Sequence, residues 1–183
     1  MRDRYVVDTN VLIAASAADP RHPSDVDATP DDPALREQVW AWLHAFECSP
    51  SHLVLDLANG IYDEYCHKLG FNDYGIQVVL HKWSTAAVDY VTIAYDEHGH
   101  GILPPELAQV VHDEADKKMV AAALAARQQY GEACIAFAGD TDWHDWEPTL
   151  QAHGLLLEPI IEEWSRRKHA EKQHRRHTHE SRP

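Results

Sequence analysis

Apolar positions along the chain fall into short β-branched runs separated by stretches with helical spacing. The run RYVV at residues 4–7 predicts a short buried strand that ends at Asp8, where the Asp8-Thr9-Asn10 break turns the chain into a helix through VLIAAS. SHLVLDL at residues 51–57 predicts a second strand, DYVTIAY at 89–95 a third and ACIAFAG at 133–139 a fourth, with GLLLEPI at 154–160 as a candidate fifth. Helical spacing fills the intervals. Val39, Leu43 and Phe46 recur on one face of a helix over residues 35–46, and Ile61, Tyr65 and Leu69 repeat every four residues over 58–69. Residues 72–85 predict a further helix, and residues 106–127 the longest one, with Gly131 as its stop. Strands alternating with helices predict an α/β fold, a three-layer α/β/α sandwich around a central parallel sheet of four to five strands.

Two segments break this pattern. Residues 17–34 hold four prolines and five aspartates with hardly any large apolar side chain, which predicts a long surface loop. After Trp164 the chain is helix-forming but poor in apolar surface, so a tail over 160–183 is expected to fray, leaving residues 1–159 as one packed domain. Four histidines there, His169, His174, His177 and His179, have no regular facing pattern and are not taken as metal ligands. The length of 183 residues with 44% hydrophobic content suffices for one core. No run approaches the roughly 18–20 apolar residues that cross a bilayer, and the first residues lack a secretion signal, so a cytoplasmic protein without membrane partners is expected. Cys48, Cys66 and Cys134 are far apart and form no zinc-binding pair, and are expected to be reduced and buried.

A net charge of −14 sets an apparent obstacle to nucleic-acid binding, since cationic groups normally neutralise phosphates. Its distribution is uneven. Residues 160–183 are +3 and the remainder −17. An acidic body can serve solubility alone, but carboxylates collected in one pocket need cations to coexist. Asp8 and Asp140 end predicted parallel strands, the edge at which such sheets bind ligands. Asp116 precedes Met119, Val120 and Ala123 on a stripe that should face the sheet, and Glu64 follows Ile61 by three residues; each needs a partner if buried. Taken singly, Asp8 and Asp140 are N-cap candidates, Asp116 has neighbouring lysines to pair with, and Glu64 is an ordinary solvated residue. Hard oxygen ligands favour Mg²⁺ or Mn²⁺.

The local sequences around the four acids resemble those of PIN-domain nucleases. YVVDTNVLIAA is similar to the opening strand and turn with Asp8 in the first acidic place, and IYDEYCHKL to the helix that carries a glutamate, here Glu64. DKKMVAAALAA places Asp116 third, and AFAGDTDW places Asp140 last with Asp142 close behind. The likeness spans roughly residues 4–158, while the long acidic loop and the basic tail depart from the minimal pattern. It implies a metal-dependent ribonuclease in which Asp8, Glu64, Asp116 and Asp140 bind the metal and carry the cleavage of RNA. Asn10 and Thr141 are candidates to hydrogen-bond these carboxylates, and Asp113 and Asp142 are near substitutes. Arg36, Lys68, Lys117, Lys118, Arg127 and the tail are candidates for RNA backbone contacts, and Trp143 and Trp146 for lining the pocket. The resemblance also admits a toxin–antitoxin pairing with a small basic protein partner, and a homodimer. A non-catalytic RNA-binding module of the same fold is the principal alternative. A phosphatase using an aspartyl intermediate would want an acid at position 10, which is Asn, and no Gly-rich phosphate loop is present.

Overall fold

The computed structural model describes residues 1–21, 23 and 27–180, the last four of them by backbone alone. Residues 22 and 24–26 of the acidic loop, the terminal residues 181–183 and the side chains of His177 and His179 lie outside the described residues. In chain order the elements are β1 (Arg4–Val7), α1 (Thr9–Ala18), α2 (Pro33–Cys48), β2 (His52–Asp56), α3 (Gly60–Lys68), α4 (Tyr74–Ser84), β3 (Val88–Val91), α5 (Pro105–Val110), α6 (Lys117–Tyr130), β4 (Cys134–Phe137), α7 (Trp143–Ala152), β5 (Leu156–Pro159) and α8 (Glu162–Glu180).

All five strands are parallel and run in the order β3-β2-β1-β4-β5. The central strands β1 and β4 are buried almost throughout, as their continuous apolar runs require when helices cover both faces. Helices α1, α2 and α4 pack on one another, α6 lies across β1 to β4, and α7 packs on β5 and α5, which gives the three-layer sandwich expected from the alternation of elements. Gly131 ends α6 with φ +89°, a left-handed conformation that glycine adopts without steric cost. Among the described residues no helix is long and apolar enough to cross a membrane.

The structure departs from the sequence pattern in several places. The single long helix expected over 106–127 is two, because Asp113 accepts the Ala115 N–H at 2.8 Å and forms a local turn that competes with the helix. The third strand stops at Val91, opposite Asp56, where its partner β2 ends; Tyr95 then bridges Gly101 in the opposite sense. Helix α8, not the 106–127 stretch, is the longest at 19 residues. Its first turn lies against the core, with Ser165 and the preceding Ile161 buried, and polar contacts to α7 continue as far as Arg176, so the tail is docked well beyond Trp164. All three cysteines are unpaired, but only Cys134 is buried; Cys48 and Cys66 lie on outward helix faces.

Candidate functional site

Strands β1 and β4 are neighbours in register, with Val7 opposite Ala136, and the Asp8 N–H continues the ladder to the Ala136 carbonyl at 2.9 Å. The chain winds outward from β1 through β2 to β3 and then crosses back to β4, so the carboxyl ends of β1 and β4 flank the point where the sheet order reverses. Asp8 leaves β1 there and Asp140 leaves β4. Asp116 enters from the turn that begins α6. Helices α1 and α6 start at Asp8 and Asp116, and α7 starts just after Asp140, with Asp142 at its N-cap; their N-terminal dipoles favour negative charge.

The electrostatics tie the acids together. Asp8 is 5% exposed, and burial, reinforced by the charges of Asp140 and then Glu64, pushes its carboxyl up to about 7. Two donors oppose this: the Asn10 N–H at 3.2 Å and the Trp143 indole N–H at 3.2 Å. Asp116 has no capping hydrogen bond, and burial followed by the charges of Asp8, Asp140, Asp113 and Glu64 pushes it up to about 9. Asp140 is also raised by burial, while the Asp142 N–H at 2.8 Å and the Lys172 charge pull it down. Asp8 is thus an N-cap as well as a member of the cluster. Asp116 is not accounted for by capping.

Glu64 stands apart from the three aspartates in its partners. Thr9 Oγ1 donates to one of its oxygens, and the Lys118 ammonium pairs with the other. Asn10 meets Asp8 only through its backbone; its side-chain oxygen instead accepts the Gly139 N–H at 2.9 Å, holding the end of β4 to the start of α1. Thr141 offers its carbonyl to the His144 N–H, and among the described residues its hydroxyl makes no bond to a carboxylate. Asp113 is exposed and engaged in its turn, and Asp142 pairs with Lys172 of α8. Trp143 is buried against Asp8 as expected, whereas Trp146 directs its N–H toward His112 at 3.4 Å. A Cβ at Gly139 would lie 2.3 Å from the Thr29 carbonyl, so the exit of the acidic loop rests on this strand end. Arg36 holds that exit by donating to the carbonyls of Pro30 at 2.6 Å and Ala28 at 2.5 Å.

Lys118 and the tail that carries Lys172 were candidates for RNA backbone contacts, with the lysines beside Asp116 also able to pair with it; the pairing of Lys118 with Glu64 and of Lys172 with Asp142 was not expected. Lys118 is only two residues from Asp116, a proximity visible in the sequence, but its direction depends on where α6 begins. Lys172 carries no local signal at all.

Among the described residues no three His, Cys, Asp or Glu side chains stand closely enough to hold one ion as they are placed. The chemistry of the donor set nevertheless fits a hard divalent cation: carboxylates only, each raised by burial, with Asp140 raising Asp8 and both raising Asp116. A cavity of about 570 Å³ lined by Asp19, Arg21, Glu47, Tyr74 and others shares no residue with these acids, and its rim offers no comparable cluster. No family model, no curated protein and no solved structure matches the chain, and the centre at the β1/β4 edge therefore stands on its own geometry and electrostatics.

Proposed function

We propose that the protein is a divalent-metal-dependent ribonuclease that hydrolyses RNA phosphodiester bonds, as its resemblance to PIN-domain nucleases implies. The observation that carries the proposal is the gathering of Asp8, Asp116 and Asp140 where the sheet order reverses, close enough that the charge of Asp140 raises Asp8 and the charges of both raise Asp116. Structural acids that merely cap helices have no reason to share a desolvated space.

Asp8, Asp116 and Asp140 would hold Mg²⁺ or Mn²⁺, which when bound supplies an activated water and neutralises charge on the scissile phosphate. The protein's own groups prepare that place. The Trp143 N–H and the Asn10 N–H orient Asp8, and the Asp142 N–H orients Asp140. Burial of Trp143 and Phe137 beside them excludes bulk water and strengthens each electrostatic contact. Burial and the neighbouring charges favour the protonated Asp116 carboxyl at neutral pH, and a bound cation would lower that preference. Exposed Arg167 and Arg175 of α8 are suited to the RNA backbone, with which the acidic body alone would not associate.

The Lys118–Glu64 pairing favours a second reading, a non-catalytic RNA-binding module in which a lysine neutralises part of the acid set. The two separate in one experiment: a mixed RNA pool incubated with purified protein and Mn²⁺. The nuclease reading expects cleavage leaving 5′-phosphates that Asp116→Asn abolishes, and equal cutting by both proteins would overturn it. RNA retention without cutting by either protein would establish the module.

A further inference from the structure

Lys118 is the second residue of α6, and its backbone is closely packed. A Cβ on Gly101 would lie 2.6 Å from the Lys118 Cα, so the loop carrying Gly101 presses directly on this turn. The ammonium donates to the Ala115 carbonyl at 2.9 Å as well as pairing with Glu64. Its side chain is only 12% exposed and that of Glu64 18%, so neither is a freely solvated surface group. Thr9, from the start of α1, engages the remaining Glu64 oxygen. Both oxygens of Glu64 are therefore partnered, from two different elements. Thr9 directly follows Asp8 and Lys118 lies two residues after Asp116, and the charge of Glu64 is felt at both aspartates, which places the Lys118–Glu64 pair beside these two rather than on a separate surface.

Resting on the metal centre proposed above, we infer that the Lys118 ammonium takes the place of a second divalent cation: the centre accepts one ion, and Glu64 positions Lys118 instead of coordinating. A tethered ammonium satisfies one carboxylate without a coordination shell of its own. It also repels a second divalent ion at short range, since like charges a few ångströms apart in a desolvated place interact strongly. Four acids would otherwise suffice for two ions. Three aspartates and one lysine-neutralised glutamate suit one.

Isothermal titration of the full chain with MnCl2 tests this without reference to cleavage. Wild type is expected to take up one Mn²⁺, and Glu64→Gln to keep that count with an affinity within about threefold. Lys118→Met, which frees Glu64, is expected to bind two ions, and the double variant Glu64→Gln/Lys118→Met to return to one. Circular dichroism establishes that each variant is folded, and Lys118→Gln replaces Lys118→Met if the latter is not. Two ions in wild type, a loss of about tenfold or more in Glu64→Gln, or a count of one in the folded Lys118 variant would each overturn the inference while leaving the metal centre intact. No Mn²⁺ uptake by wild type would overturn the metal centre itself, and this inference with it.

Discussion

The acidic centre is braced on two sides by a lysine against a carboxylate, and the two braces are built differently. On the α3/α6 side, Lys118 is 12% exposed and is held by the Ala115 carbonyl besides Glu64. On the α7/α8 side, Lys172 is 35% exposed and reaches Asp142 from a helix otherwise attached here by polar contacts, His169 and Arg176 to Asp145 and Arg166 to Glu147. The first lysine is fixed by the same helix start that fixes Asp116. The second depends on the docking of a separate helix. Equal charge pairings can therefore differ in permanence: one belongs to the centre, and the other is a brace that can be withdrawn.

The sharpest test of this contrast is catalytic. On the proposed nuclease reading, Asp116→Asn should reduce RNA cleavage by about a hundredfold or more, and Asp142→Asn by less than about tenfold, in single-turnover assays with Mn²⁺. Comparable losses would extend the centre onto the α8 side. In urea denaturation, Lys118→Met should cost about 1–3 kcal/mol, because it leaves Glu64 confined without its counter-ion. Lys172→Met should cost less than about 1 kcal/mol, as expected of a solvent-screened pair; equal costs would erase the distinction.

The acids between the braces should make stability pH-dependent. Asp8 and Asp116 bind protons more tightly in the folded chain than in the unfolded one, whose aspartates titrate near about 4. Their contribution is therefore full below that value and is lost as pH rises through about 7 and about 9. Asp116→Asn should melt roughly 3–6 °C above metal-free wild type at pH 8 and converge with it near pH 5. A constant offset across that range would mean that Asp116 is not crowded by its neighbours. The smallest effect concerns salt. Raising the ionic strength should speed limited proteolysis within α8 while leaving cleavage near Lys118 unchanged, since exposed pairs are screened and enclosed ones are not. Matching acceleration at both places would count against a withdrawable brace.

Much of this was written in the order of apolar and polar residues. The runs at β1, β2 and β4 had no competing interpretation, and once the strands are parallel, Asp8 and Asp140 must emerge at the same edge. Asp116 was legible only in part: its proximity to the apolar stripe was visible, but the break made by Asp113 moved it from mid-helix to the start of α6. The partner of Glu64 was not legible. A lysine's four-carbon stem can point in many directions, and which one it takes is decided by packing such as that of Gly101, far away in sequence. Docking of α8 was hidden for a related reason. Its hold on the body comes largely from charge pairs with α7, and periodicity of apolar residues carries no trace of those.

Gly139 shows how closely a variable-looking segment can be tied to a fixed one. The Thr29 carbonyl and the Asn10 amide oxygen both stand within 2.6 Å of where its Cβ would be, so no side chain fits unless the exit of the acidic loop withdraws. In evolutionary terms the two positions are expected to covary. Relatives could lengthen or shorten the loop ahead of Ala28 freely, but those with a larger residue at the end of β4 would have to reroute the chain through Thr29 and Pro30 as well.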